Sequence, residues 1–222
     1  VRPPPRHRRT APPMTVAGPA AGDGLEQLKK RMAAGETYAA SDPLLQPHRL
    51  RCMDLLDTVN RTALRDHATR ETVLRQLFAR LGPDGWVMPR FLCEFGFFIE
   101  LGPRVRINFD ALLLDCAPIT IGADTWLGPR CQLYTANHPF EPERRAALCE
   151  QANPITIGAD VWIGGGSIVL PGVTVGAGSI VGAGSVVTKD LPPGVLAAGN
   201  PARVLRALPE GHRPGPGATA PP

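Results

Sequence analysis

Aromatic residues are scarce in this chain, 5% of 222 positions, and no apolar run approaches membrane-spanning length. A span needs about 18 such residues, so a transmembrane helix is excluded. The basic N-terminus runs into a proline-rich stretch with no apolar core, and no secretory signal is expected there. The five cysteines (Cys52, Cys93, Cys116, Cys131 and Cys149) are odd in number and lack C-x-x-C spacing. That argues against a zinc knuckle or a disulfide framework and for a reducing, cytoplasmic setting. Several sit in aliphatic surroundings, where a thiol packs as a small hydrophobe. Net charge is also missing from the body of the chain. Of the formal +4, four positives are Arg2, Arg6, Arg8 and Arg9, with no acid among the first nine residues. The near-neutral remainder gives no electrostatic reason to expect nucleic acid.

What the chain does have is glycine (24), proline (25) and a period. Ile157, Ile163, Val169, Val175, Val181 and Val187 keep strict six-residue register, and Gly158, Gly164, Gly176 and Gly182 follow four of them. Four positions after each of the first five stands Val161, Ser167, Val173, Ser179 or Ser185. A helix face recurs at about 3.6 residues and a strand face at 2, so hexads fit neither alone. They fit a parallel β-helix whose stacked coils bury one aliphatic side chain per short face.

Four pieces follow. Residues 1–23, rich in Pro, Ala and Arg, are expected to be a disordered tail; Met14 is a candidate true start. Residues 24–86 read as a helical cap. Leu25, Leu28 and Met32 recur at helical spacing, and Gly35 is a natural stop. Asp42 followed by Pro43 offers an N-cap, with Pro47 breaking the turn after it. From Arg49 to Arg80 the pattern is amphipathic. Residues 87–207 carry the coils, with Leu101, Ile107 and Leu113 six apart and Ile121, Leu127 and Leu133 forming a second run. The eight-residue step from Leu113 to Ile121 predicts an irregular corner. Residues 135–153, with Pro139, Pro142 and several charges, are expected to leave the coil as a loop. Residues 208–222 form a second Gly/Pro tail.

The segments IGADTWLGPRCQLYTANHPFEPERR, ITIGADVWIGGG and PGVTVGAGSIVGAGSVVTKDLPPGVLAAGNPARVLR resemble the hexapeptide-repeat acetyltransferases, in the maltose and galactoside O-acetyltransferase branch. MAAGETYAASDPLL and RLRCMDLLDTVN resemble the helical cap of maltose acetyltransferases. The likeness covers roughly residues 30–207, and T-A-N-H-P, V-W-I-G-G and V-T-K-D at their spacing carry it. It implies a mainly β fold, a left-handed parallel β-helix. It further implies a homotrimer with active sites between subunits, acetyl-CoA as co-substrate and a sugar-like acceptor.

Acyl transfer from a thioester to a hydroxyl needs a base, donors for the developing oxyanion, and a groove for the pantetheine arm. His138, where coil gives way to loop, is the candidate base, since an imidazole titrates near neutrality. By resemblance Glu150 orients that ring. Trp162 lies near substrate and pantetheine or fills an inter-subunit gap. Gly165 matches the position whose backbone N–H, by the same resemblance, is offered to the oxyanion. Asn108 and Asp115 match sugar-binding positions, with Asp115 alternatively a corner residue, and Glu94 stands where relatives have aspartate or serine. Ala40 replaces an aspartate of the galactoside enzyme. Ala183, Thr188, Lys189, Arg203 and Arg206 match coenzyme A contacts, the cations suiting phosphates.

A zinc-dependent hydrase on the same repeats needs three converging histidines. His7, His48, His67 and His212 lie outside the coils, so no metal is expected. A different acceptor (an antibiotic, serine or lipo-oligosaccharide) stays open on sequence, as does a non-catalytic scaffold.

Overall fold

The computed structural model describes residues 24–209; the expectations for 1–23 and for the tail from 210 onward lie outside it. The hexads fold as three-sided coils. The first face stacks Arg80–Leu81, Ile99–Leu101, Ile119–Ile121, Ile155–Ile157 and Thr174–Val175 in parallel. The second stacks Trp86–Val87, Arg106–Ile107, Trp126–Leu127, Trp162–Ile163, Ile180–Val181 and Val195–Gly199, and the third runs from Leu92–Cys93 to Val186–Val187. Register aligns the hexad residues: Leu101 with Ile121, Ile121 with Ile157, and Ile157 with Val175. Each points inward, and all are buried in one continuous core. The coils begin at Arg80, which pairs with Glu100, earlier than the 87 expected from sequence.

The glycine after a hexad residue answers a close approach. A Cβ on Gly158 would stand 2.5 Å from the backbone nitrogen of Ala177 on the next coil. Substituted coils could not close to strand-pairing distance.

The irregular corner lies between the third and first faces, and it occurs twice. The step from Cys93 to Leu101 is eight residues, like that from Leu113 to Ile121. Extra corner residues leave backbone N–H groups without a ladder partner, and such groups must be satisfied when buried. Asp115 accepts from the N–H groups of Glu94, Phe95 and Phe98, and Thr135 Oγ1 accepts from those of Cys116 and Ala117. The enlarged corners seat the helical cap: Phe95, Phe98, Cys116 and Ala117 pack with Leu28, Met32, Tyr38 and Leu45.

The cap has three helices. Helix α1 is Gly24–Ala33, and Gly35 beyond it has φ +76°, a left-handed stop. Helix α2, Gln46–Arg61, begins later than the Asp42–Pro43 pair suggested. Asp42 Oδ1 instead accepts from the Leu44 N–H, and Pro47 sits in the first turn, where its missing N–H has no cost. Helix α3, His67–Leu77, is N-capped by Asp66. Leu56, Val59, Val73, Leu74 and Leu77 of α2 and α3 join the same core as Val87 and Phe91, closing the N-terminal end of the stack.

Residues 135–153 have structure of their own. Ala136–Asn137 and Cys149–Ala152 pair antiparallel around the short helix α4, Pro142–Ala146. Cys149–Ala152 also pairs with Tyr38–Ala39 from the cap, making a three-stranded sheet.

Candidate active site

The candidate residues divide between two corners of the triangular stack. Glu94, Asp115, His138, Glu150, Thr188 and Lys189 lie where the third face turns into the first. Asn108, Gly165 and Ala183 lie where the second turns into the third, with Trp162 on the adjoining strand. Arg203 and Arg206 stand on the terminal strand Ala202–Ala207, opposite Ala198 and Leu196.

His138 directly follows the paired strand Ala136–Asn137. Ala136 faces Ala152 and Asn137 faces Gln151, so one further step of that register sets His138 opposite Glu150. Across the other edge Tyr38 faces Glu150. Directly opposed residues project to the same side of a sheet, so Tyr38 and Glu150 share one side, and the register continued by one step brings His138 to it. His138 is exposed, while Glu150 is 8% exposed and its Oε1 accepts a hydrogen bond from the Tyr38 hydroxyl. The Cys116 thiol lies against the same pair. Burial, then the charge of Glu150, pushes it well above the ordinary thiol range, so it stays protonated. Burial likewise raises the Tyr38 phenol, which stays a donor.

Asp115 is not a ligand group here. It is 0% exposed, and both its oxygens face backbone amides of the preceding coil. That is the geometry of a corner residue. Glu94 is half-buried and pairs with Arg49, Nε to Oε1 at 2.6 Å. Arg49 also donates to the Ala40 carbonyl at 2.8 Å and lies over the Phe95 ring. Sequence reasoning passed over both Arg49 and Tyr38. The one signal for Tyr38 was rarity, since it is one of two tyrosines and the one outside the coils.

At the other corner, a Cβ on Gly164 would stand 2.5 Å from the Ala183 nitrogen, so the bare glycine lets adjacent coils close together beside Gly165. The Gly165 N–H has no backbone acceptor among the described residues. Trp162 is 49% exposed, in register with Trp126 on one side and Ile180 on the other. Asn108 Oδ1 accepts from the Phe109 N–H within its own turn. Lys189, Arg203 and Arg206 are exposed, Thr188 half-buried. Among the described residues no three His, Cys, Asp or Glu side chains converge as metal ligands.

An exposed imidazole near a buried carboxylate in the hairpin register, an open backbone donor and a cationic end are parts suited to acyl transfer. In one chain, however, the width of the third face separates the His138 corner from the Gly165 corner.

The cap and the coils match known proteins. Residues 31–82 match the maltose acetyltransferase hexapeptide capping motif, and residues 154–189 match the bacterial transferase hexapeptide (six repeats). Nodulation protein L of Rhizobium meliloti (strain 1021) is 46% identical over 79% of this chain and 96% of its own length. A maltose O-acetyltransferase structure from Clostridium difficile 630 superposes with a TM-score of 0.80 at 41% identity, covering 82% of this chain and 97% of that one. A galactoside acetyltransferase in complex with coenzyme A superposes at 0.79 with 36% identity, over 82% and 91%. The stack is thus a left-handed parallel β-helix of about six turns. Cap, coil and loop together are matched along nearly the whole length of these relatives, and the chain belongs to the hexapeptide-repeat acetyltransferases of the maltose and galactoside O-acetyltransferase group.

Proposed function

We propose that this chain moves an acetyl group from acetyl-CoA to a hydroxyl of a sugar-like acceptor, with His138 as general base. The observation that carries the reading is the hairpin register, Asn137 opposite Gln151, whose continuation by one step brings His138 across from Glu150 on an exposed corner. His138 takes the hydroxyl proton as the oxygen attacks the thioester carbonyl. The oxyanion that forms accepts from the Gly165 N–H, the C–S bond breaks, and the imidazolium returns its proton to the departing thiolate. Lys189, Arg203 and Arg206 hold the phosphates of coenzyme A, while Ala183, Thr188 and Trp162 border its arm. The relative solved with coenzyme A supports this half of the reading.

The enzyme works as a homotrimer with sites between copies. Support comes from the two-corner division: a neighbour's Gly165 corner set against this chain's His138 corner gives one complete site. On the acceptor side, the half-buried Glu94 and Arg49 supply charged hydrogen-bonding groups suited to a polyol. Asn108 adds an amide at the other corner. The same reading sets the reaction in the cytoplasm, supported by five free thiols.

The deciding experiment is a thiol-release assay with acetyl-CoA across maltose, glucose, galactosides and aminoglycosides, with sedimentation of the same sample. Release that depends on a sugar, from a trimer, is expected. Release with no sugar in the panel, or a functional monomer, overturns the reading.

A further inference from the structure

We infer that Tyr38 is a positioning residue for the base: its hydroxyl fixes the Glu150 carboxylate that in turn orients His138. This rests on His138 being the base, as proposed above.

Glu150 sits in the middle strand of a three-stranded sheet, with Tyr38 opposite on one side and, one register step beyond the Asn137–Gln151 pair, the His138 position on the other. A carboxylate as buried as this one must be given donors. The cap supplies one in the Tyr38 hydroxyl, and the adjoining coil supplies the Cys116 thiol. The thiol is a weak donor, so the phenol sets the carboxylate's orientation.

Tyr38 is itself held firmly. It is 1% exposed and packed among Leu28, Met32, Leu45, Phe95 and Phe98, so its ring has little freedom to follow a moving partner. A carboxylate held by a fixed hydroxyl presents its remaining lone pairs in one direction, and base geometry must be held closely for rate. The cap therefore contributes to turnover through one oxygen atom, without that atom touching substrate.

The test is a kinetic cycle over Tyr38→Phe, Glu150→Gln and the double variant, with active sites counted by acetyl-CoA titration so that each rate is per folded site. Tyr38→Phe keeps the ring and deletes the hydroxyl. Expected are a kcat lower by between about 10- and 100-fold, a KM for acetyl-CoA within about twofold of wild type, and a double variant no slower than Glu150→Gln alone. Unchanged kcat in Tyr38→Phe, or losses that multiply in the double variant, overturns the inference. If Tyr38→Phe does not assemble, Glu150→Asp draws the carboxylate back with Tyr38 in place; wild-type kcat there overturns it equally. An active His138→Ala protein would instead remove the base assignment itself, whatever Tyr38 does.

Discussion

Asp115 and Thr135 stand in register on successive coils, directly after the paired residues Leu114 and Tyr134, and each closes the enlarged corner of the coil before it. One polar side chain per coil thus takes up the amides that a two-residue expansion frees. The site and the cap both rest on these corners.

Asp115→Ala should therefore lower stability by about 3 kcal/mol, because buried amides lose their acceptor. The midpoint of urea unfolding, compared with wild type at constant slope, measures it.

The same carboxylate gives a pH dependence. Burial pushes it from the ordinary 3.8 up to about 7, against the backbone donors that favour its charged form. With the folded value above the unfolded one, the folded state keeps a proton that the unfolded chain gives up between about pH 4 and about pH 7. The stability contribution is fully present below that window and lost as pH rises through it. Unfolding free energies of wild type minus Asp115→Asn should fall across the window and level off above it.

His138→Ala should cut turnover by a factor of about 10² or more. Acetyl-CoA affinity by calorimetry and assembly by sedimentation should be unchanged.

Lys189→Ala and Arg206→Ala should each raise the KM for acetyl-CoA about tenfold with kcat nearly constant, the mark of lost uniform binding. Because both cations are exposed, added salt should shrink the difference from wild type. Initial rates at low and high ionic strength test this.

Two glycine substitutions should separate crowding from strain. A Cβ on Gly122 would stand 2.4 Å from the Ala159 nitrogen, so Gly122→Ala should cost about 3 kcal/mol. Gly178 has φ +69° and open space around it, and Gly178→Ala should cost only about 1 kcal/mol. Thermal unfolding of the pair gives the comparison.

The coils could be read from sequence because each face buries one aliphatic residue, and that repetition survives without any knowledge of neighbours. The corner after Leu113 was legible as a step of eight. Its twin after Cys93 was hidden, since a cysteine at the hexad position broke the visible run. The first coil was hidden by Leu77 and Phe78, which extend a helical pattern to the edge of Arg80. Asp115 looks like a ligand when read alone; only the unpaired amides of another coil show what it accepts. Tyr38 and Arg49 reach the site through pairing with residues 112 and 45 positions away, which no local pattern reports.

A stack of parallel coils ends in unpaired strand edges that invite further copies to add on, lengthening into a fibre. Here α2 and α3 lie over the first coil, and at the other end the chain doubles back as Ala202–Ala207, antiparallel to Val195–Gly199 and bearing Arg203 and Arg206. Each end of the stack is thus covered in part by structure that is not a coil, which works against head-to-tail addition of further copies.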